Sequence, residues 1–301
     1  MKDSRTNMKK RPVSASAVVR IIIWSVVLCI LTGLLAWGLE EDGGGEIFPS
    51  LNLAGYRYSD KGFSVGNGSS EEKITEISID WLAGSVTVLA AEGDEIVITE
   101  DYDGEDGGLR LRWKIEGGKL TVKYCKPRSF GKVKADEKNL TVAIPASMLD
   151  SMGEVEIVSV DTVVSYTGNA DELSLDAVNG ELTVIGDVGE LEVDAVEAQV
   201  IFRGGVRKAE VDCVNADATM YLDMAKELKF DQVDGSVVLY LADEITGFAV
   251  EVEALSGDIE ADGYESVEYT GKRSARWGDG SLRIYVNGVA GQLKIEKLIE
   301  S

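Results

Sequence analysis

The sequence predicts an all-β fold: a solenoid-like stack of two-strand coils, preceded by one N-terminal transmembrane helix. Three observations predict it. A short apolar pattern recurs about every 18 residues between Val155 and Ile259, apolar and polar residues alternate within each recurrence, and one uncharged apolar stretch precedes the whole region. A fixed period with apolar residues at every second position is typical of β coils that bury their inner faces on their neighbours.

The first segment of the chain predicts a membrane anchor. Residues 21–39 carry no charge, and a helix of that length rises roughly 28 Å, close to the thickness of a bilayer core. The basic residues of 1–20 all precede it, so the positive-inside rule predicts a cytoplasmic N-terminus and an extracytoplasmic C-terminal domain. A signal peptide cleaved near residues 36–38 is the alternative. A lipoprotein anchor is excluded, because Cys29 lies in mid-segment after Leu28.

Four segments follow along the chain. Residues 40–73 are rich in glycine and acidic residues and predict a spacer. We assign residues 74–301 to one extracytoplasmic β-repeat domain. Within it, residues 74–152 alternate irregularly, with one helical turn predicted in 146–152; residues 155–259 carry the regular repeats; and residues 260–301 supply closing strands that protect the last sheet edge.

One repeat shows how a coil is built. In the repeat that starts at Leu173, Leu173 and Leu175 alternate with polar residues, and Leu182 and Val184 then do the same. Two short strands per coil, each with one inward face, account for this pattern. Glycines fall where the alternation breaks, as corners that need positive φ require. The repeats begin at Val155, Leu173, Leu191, Ala209, Leu228 and Val250.

The charge of the chain excludes one class of partner. The formal net charge is −23, although residues 1–20 are basic, so the domain outside the membrane is strongly acidic. Such a surface repels the phosphates of nucleic acids and anionic lipid headgroups. We therefore expect no nucleic-acid partner.

Several stretches together resemble the DUF4097 family of bacterial β-strand-repeat proteins, whose members are often labelled adhesins. The resemblance rests on a single membrane helix, on residues 79–88 (IDWLAGSVTV), on residues 140–145 (LTVAIP) and on repeated L-x-V-x-x-V-[SN]-G units, and it spans about residues 74–296. It implies a solenoid-like envelope domain without established enzymatic activity, in a family that tends to accompany envelope-stress regulators. Several repeats depart from the pattern by lacking the Ser-Gly pair.

The residues that most enzymes need are missing from the sequence. The chain contains no histidine, which removes Ser-His-Asp and Cys-His arrangements and every usual zinc or iron ligand set apart from those of cysteine and carboxylate. No Walker-type loop, no G-x-G-x-x-G after a strand and no C-x-x-C occurs. We therefore predict no enzymatic activity, no catalytic residue and no resident cofactor.

A column of carboxylates is the sharpest candidate site. In stacked coils, one acidic residue per repeat would lie directly above the next, and like charges directly opposed destabilise a sheet. Three forms of relief are open: backbone N–H groups at the corners, solvent screening, and bridging divalent cations, most plausibly Ca²⁺. Paired-acid glycosidase chemistry is a fourth interpretation. The column consists of Asp176, Asp194, Asp212, Asp231 and Glu253.

Three smaller features carry weaker signals. Residues 100–108 are acidic but lack the template of a calcium loop, and a solvated hairpin turn is the preferred interpretation. Residues 123–134 are locally basic, which suits either neutralisation of nearby acids or the docking of an anionic wall polymer. Cys125 and Cys213 could pair in an oxidising compartment, although lone buried thiols on strands are commoner.

Two hypotheses for function come from different classes. The first is a membrane-anchored, non-enzymatic interaction module of the cell envelope, an adhesin or a scaffold with a protein or envelope-polymer partner. The second is an envelope-stress sensor or regulator that acts through its membrane helix and a membrane partner.

Overall fold

The computed structural model describes residues 58–102, 107–127, 138–271 and 273–298. About three quarters of these residues lie in strands, and their one α-helix is the single turn α1 (Ala146–Leu149), as expected. The prediction of an all-β fold is confirmed. The predicted membrane helix at 21–39 lies outside the described residues, and within the described ranges no helix is both long and apolar enough to cross a bilayer.

The strands of the described ranges, fourteen in all, form one hydrogen-bonded sheet. In chain order they are β1 (Ser64–Val65), β2 (Gly68–Ser70), β3 (Glu76–Ala91), β4 (Ile96–Glu100), β5 (Arg112–Glu116), β6 (Lys119–Lys123), β7 (Lys138–Pro145), β8 (Met152–Thr167), β9 (Ala170–Ile185), β10 (Val188–Leu241), β11 (Gly247–Asp262), β12 (Glu268–Tyr269), β13 (Ser274–Gly278) and β14 (Leu282–Lys297).

Successive long strands pair in parallel at the spacing of the repeat. Val155 of β8 lies opposite Leu173 of β9, and Leu173 lies opposite Leu191 of β10, an offset of one period at each step. β3 also pairs in parallel with β8, although Ile77 and Val155, which lie opposite each other, are far more than one period apart in sequence. A strand upstream of the regular repeats therefore extends the parallel part of the sheet. β10 is 54 residues long and runs through three periods without an assigned break.

Each coil buries apolar side chains from both of its halves in one core. Leu173 and Leu175 are buried in the first half of β9, and Leu182 and Val184 are buried in the second half. From Leu173 onward in β9, the buried residues have odd numbers before Asn179 and even numbers after it. The strand therefore bends at this residue, and the side chains that face the core switch from odd to even positions. The outward side chains of the two halves therefore form two separate surfaces.

The corners between coils require glycine and use a ladder of polar side chains. The Asn169 side-chain oxygen accepts a hydrogen bond from the backbone N–H of Asp187 at 2.9 Å, and the Asp187 carboxylate accepts one from Gly205 at 2.8 Å. Gly186 has φ +141°, and a Cβ there would lie 2.0 Å from the carbonyl oxygen of Gly168. A side chain at Gly186 would therefore clash with the previous corner.

The N-terminal end of the stack is covered by shorter strands. The first part of β3 pairs in parallel with β6, and the second part pairs in parallel with β7. Antiparallel strands then continue each half outward, β5 and β1 beyond β6, and β4 and β2 beyond β7. At this end of the sheet the strand pairing therefore changes from parallel to antiparallel.

A buried ion pair joins these covering strands to the first coil. The Lys138 ammonium lies 2.8 Å from a Glu100 carboxylate oxygen, and both side chains are 2% exposed. It also donates to the carbonyl oxygens of Leu109 and Tyr124, at 2.8 and 2.6 Å. The Trp81 indole donates to the Lys138 carbonyl oxygen at 2.9 Å. Glu100, at the start of the acidic 100–108 segment, therefore points into the core rather than toward a calcium ion.

The C-terminal strand lies between two strands that precede it in sequence. β14 pairs in parallel with β10 on one side and with β11 on the other. β10 and β11 follow each other in sequence but are not neighbours in the sheet, so the connection between them crosses β14. On its other side, the first part of β11 pairs with β13, where Phe248, Tyr264 and Trp277 form an aromatic cluster.

Candidate functional site

The outward side of the first half of the coils carries the predicted carboxylates; we call it the acidic face. Asp176 and Asp194 lie directly opposite each other, as expected. Asp212 is close enough to Asp194 and Asp231 for both to raise its pKa electrostatically. Glu253 is not part of this run. It lies opposite Asn287 of β14, and Asn287 lies opposite Asp231, because β14 separates β10 from β11.

Lysines inserted among the carboxylates relieve the repulsion. The Lys229 ammonium lies 2.6 Å from Asp231, 4.0 Å from Asp212 and in contact with Glu210. Lys208 lies 2.7 Å from Glu190. Lys208 lies one period from Glu190, and Lys229 lies one period from Glu210, so these pairs neutralise charge between adjacent coils. Lys229 and Asp231 are two residues apart on β10, so this pair neutralises charge within one coil. Sequence reasoning missed them, although the same period that places the carboxylates also places these lysines.

Asp231 is held more tightly than the other carboxylates of the run. Its side chain is 7% exposed. Lys229 lies on one side, and on the other side the Asn287 amide donates to Asp231 at 2.5 Å. One donor from the same strand, Lys229, and one from the neighbouring strand β14, Asn287, therefore satisfy a carboxylate that would be costly to bury alone.

Three carboxylates of the acidic face bind protons more tightly than a free aspartate does. Burial, together with the neighbouring carboxylates, raises the pKa of Asp194 to about 6. Burial also raises the pKa of Asp212 to about 7, although Lys229 opposes that shift. The pKa of Asp176 is raised as well, first by burial and then by Glu156. Protonation near neutral pH is thus a further way in which this face reduces its charge.

One cluster on the acidic face has the donors that a cation would need. Oxygen atoms of Glu210, Asp212 and Asp231 lie within 4.8 Å of one another. Carboxylate oxygens are what Ca²⁺ prefers. The Lys229 ammonium lies against the same oxygens, so it supplies the positive charge that a metal would otherwise supply.

The outward side of the second half of the coils has different chemistry; we call it the hydroxyl face. Its central column consists of hydroxyl side chains that lie opposite one another across five adjacent strands. None of these hydroxyl groups forms a hydrogen bond with another residue of the described ranges. In spatial order the column is Thr99, Thr141, Thr87, Ser165 and Thr183.

Apolar side chains flank the hydroxyl column. Val97 is 38% exposed, Val163 is 49% exposed and Ile185 is 47% exposed. They are three of the six large apolar side chains that are exposed in the described ranges. The hydroxyl face therefore combines free hydrogen-bonding groups with apolar surface.

The hydroxyl face changes character toward the C-terminal end. The Tyr221 and Tyr240 rings stack with centroids 4.7 Å apart, and the Arg203 guanidinium lies 3.8 Å from the centroid of the Tyr221 ring. Sequence reasoning missed this face, because the partners of β4 and β7 cannot be assigned from alternation alone.

The structure also describes the two cysteines of the domain and part of the basic segment. Cys125 and Cys213 are both buried and free, so they form no disulfide with each other. Burial raises the pKa of the Cys125 thiol to about 11 and that of Cys213 to about 12, which makes both unreactive. Lys123 of the basic segment pairs with Asp80, as neutralisation requires. The basic residues at 128, 132 and 134 lie outside the described residues.

Comparison with known proteins gives the following. No family model matches the chain, and no curated protein matches it. Among solved structures, a candidate cell adhesion protein from Clostridium sporogenes is 11% identical with a TM-score of 0.30, over 78% of this chain and 100% of that one. A candidate adhesin from Bacteroides fragilis is 12% identical with a TM-score of 0.42, over 78% and 97%. One from Parabacteroides merdae is 10% identical with a TM-score of 0.36, over the same shares.

Proposed function

We propose that this chain is a non-enzymatic, membrane-anchored protein of the bacterial cell envelope, an adhesin or scaffold that presents its β-repeat domain outside the cell. In this proposal the parallel coils form a solenoid of the DUF4097 type, and residues 21–39 form the single membrane helix with the N-terminus in the cytoplasm. The spacer of residues 40–73 holds the domain away from the bilayer.

The hydroxyl face is the observation that carries the proposal. A surface of free hydroxyls and exposed apolar side chains has unused capacity for contacts, whereas the acidic face uses its lysines to neutralise its own carboxylates. Exposed apolar surface rimmed by polar groups marks interaction sites. Regular strand pairing also keeps these groups at a fixed spacing, which suits binding better than chemistry on a substrate.

Deletion of the domain in cells tests the proposal. A chain that ends after residue 57 keeps the tail, the predicted helix and most of the spacer. Cells that carry it should lose surface association or envelope assembly that the full chain supports. Unchanged behaviour in both assays would contradict an adhesive or scaffolding role.

Exchange of the membrane helix separates this function from sensing. Replacing residues 21–39 by an unrelated uncharged helix preserves anchorage. An interaction module should tolerate that exchange, whereas a sensor that acts through its helix should lose its signal. Loss of function on exchange, with the domain correctly displayed, would assign the protein to the second class.

A further inference from the structure

The N-terminal part of the hydroxyl face is nearly free of charge. On β4, β7, β3, β8 and β9, the outward positions of this face contain two charged residues, Asp161 and Glu181, and both lie to one side of the hydroxyl column. Glu95 and Asp101 flank the two ends of β4. This is unusual in a chain whose net charge is −23. The neutral outward side chains are Val97, Thr99, Asn139, Thr141, Ala143, Ser85, Thr87, Leu89, Val163, Ser165, Thr167, Thr183 and Ile185.

The neutral surface has the size of a short polymer segment. Strands in a sheet lie about 4.8 Å apart, so the five-strand column extends roughly 20 Å. Thr87, Ser165 and Thr183 lie on adjacent strands, so their hydroxyls repeat at the spacing between strands. Each hydroxyl can both donate and accept a hydrogen bond. A polymer with hydrogen-bonding groups at a regular spacing, such as the hydroxyls of a polysaccharide, matches this surface.

Charge and polarity narrow the class of ligand further. An anionic polymer would be repelled by the net negative charge of the chain, and a cationic polymer would prefer the acidic face. Val163 and Ile185 provide apolar contact beside the hydroxyls, which suits the C–H surfaces of sugar rings. Uncharged hydroxyl groups and apolar side chains offer no charge to attract an ionic ligand, so they favour an uncharged one.

We propose that the hydroxyl face binds a neutral polysaccharide, laid across β4, β7, β3, β8 and β9 over the column of Thr99, Thr141, Thr87, Ser165 and Thr183. The inference rests on the proposed function and names the ligand class of that interaction module. The binding surface ends where charge returns on the same face, at Arg203 and Asp217.

Affinity electrophoresis of the full-length chain in detergent micelles tests the proposal. The probes are dextran, amylose and hydroxyethyl cellulose as neutral polymers and alginate as an anionic one. At least one neutral polymer should retard the chain, and the retardation should not change between low and high salt. No retardation by any neutral polymer overturns the proposal.

Paired variants locate the binding surface. Thr87→Val with Thr183→Val keeps the β-branched shape but removes two hydroxyls, and it should weaken binding about tenfold or more. The matched control, Ser174→Val, removes a hydroxyl from the opposite face of β9 and should leave binding unchanged. Equal loss in the control, or no loss in the paired variant, would assign binding to another surface and overturn the proposal.

Two further outcomes identify a different occupant. Retardation by alginate that disappears in salt and persists in the Thr→Val variant would indicate an anionic ligand. A dimer in sedimentation that the Thr→Val variant abolishes, without retardation by glycans, would indicate a second copy of the chain. Either result overturns the glycan proposal. If domain deletion still abolishes surface association, the proposed function stands while this inference fails.

Discussion

Lys229 is the position where the electrostatics of the acidic face can be tested most directly. Lys229→Met removes the ammonium but keeps a side chain of similar length on the strand. Asp212 and Asp231 would then face each other without a cation, and Glu210 would keep only Lys208, at 3.4 Å. The Asp231 side chain is only 7% exposed. We expect the folded state to lose stability.

The expected loss follows from the burial of the groups. Removing one partner of a buried ion pair costs about 3–5 kcal/mol. Because the side chains of Lys229 and Asp212 are 31% and 42% exposed, water screens part of the interaction, and we discount the cost to about 2 kcal/mol. For a domain of this size that corresponds to a fall in Tm of about 4–8 °C.

Thermal unfolding at pH 7.5 measures this loss. Lys119→Met is the control, since Lys119 lies outside the cluster and its partners Glu76, Glu154 and Glu156 are all more than a third exposed. Each of those exposed pairs is worth about 1 kcal/mol at most. The variant should melt clearly below the control. A Tm within about 1 °C of the unchanged protein would refute the view that Lys229 neutralises the cluster.

Calcium extends the same experiment. Oxygen atoms about 4.8 Å apart can share one Ca²⁺ at the usual Ca–O distance of about 2.4 Å. Millimolar Ca²⁺ should therefore raise the Tm of the Lys229→Met variant, by binding only the folded state, and leave the unchanged protein nearly unaffected. An equal rise in both proteins would show that the carboxylates bind calcium despite the lysine.

Three further predictions concern stability. The pKa values of Asp194 and Asp212 are raised to about 6 and about 7, so the folded state binds protons more tightly than the unfolded state. Tm should therefore rise as pH falls from about 8 to about 5. A steady fall in Tm over that window would contradict the raised pKa values. Gly186→Ala should cost at least about 2 kcal/mol in chemical denaturation, whereas Gly93→Ala, with open space around its Cβ, should cost less than about 0.5 kcal/mol; equal effects would refute the corner clash. Lys138→Met should lower the free energy of unfolding by about 3–5 kcal/mol, because it leaves the buried Glu100 carboxylate without its lysine. Lys114→Met is the control, since its partner Glu116 is exposed. Similar denaturation midpoints for the two variants would contradict a structural role for the buried pair.

The period of the sequence predicted the regular part of the fold well. Leu173, Leu175, Leu182 and Val184 are buried as the alternation requires, since a strand with one inward face must place apolar residues at every second position. The 18-residue spacing also predicted which residues lie opposite one another, such as Asp176 and Asp194. Where one repeat follows the next directly, the same period predicts both which residues are buried and which residues lie opposite each other.

The ends of the stack could not be predicted in the same way. Alternation in 282–286 indicates a strand but not its neighbours, and the insertion of β14 between β10 and β11 depends on contacts distant in sequence. That insertion is why Glu253 lies beside Asn287 rather than Asp231. The pairing of β4 with β7, which completes the hydroxyl column, is equally non-local.

The position of β14 has a consequence for how the protein is made. During synthesis, β10 and β11 leave the ribosome before the strand that joins them, so each presents an unpaired parallel edge until residue 297 has emerged. Unpaired edges invite association with other chains. Premature termination between β11 and β14 would therefore yield a chain with a gap in its sheet. Only a translation product that includes β14 can therefore pair these edges of β10 and β11.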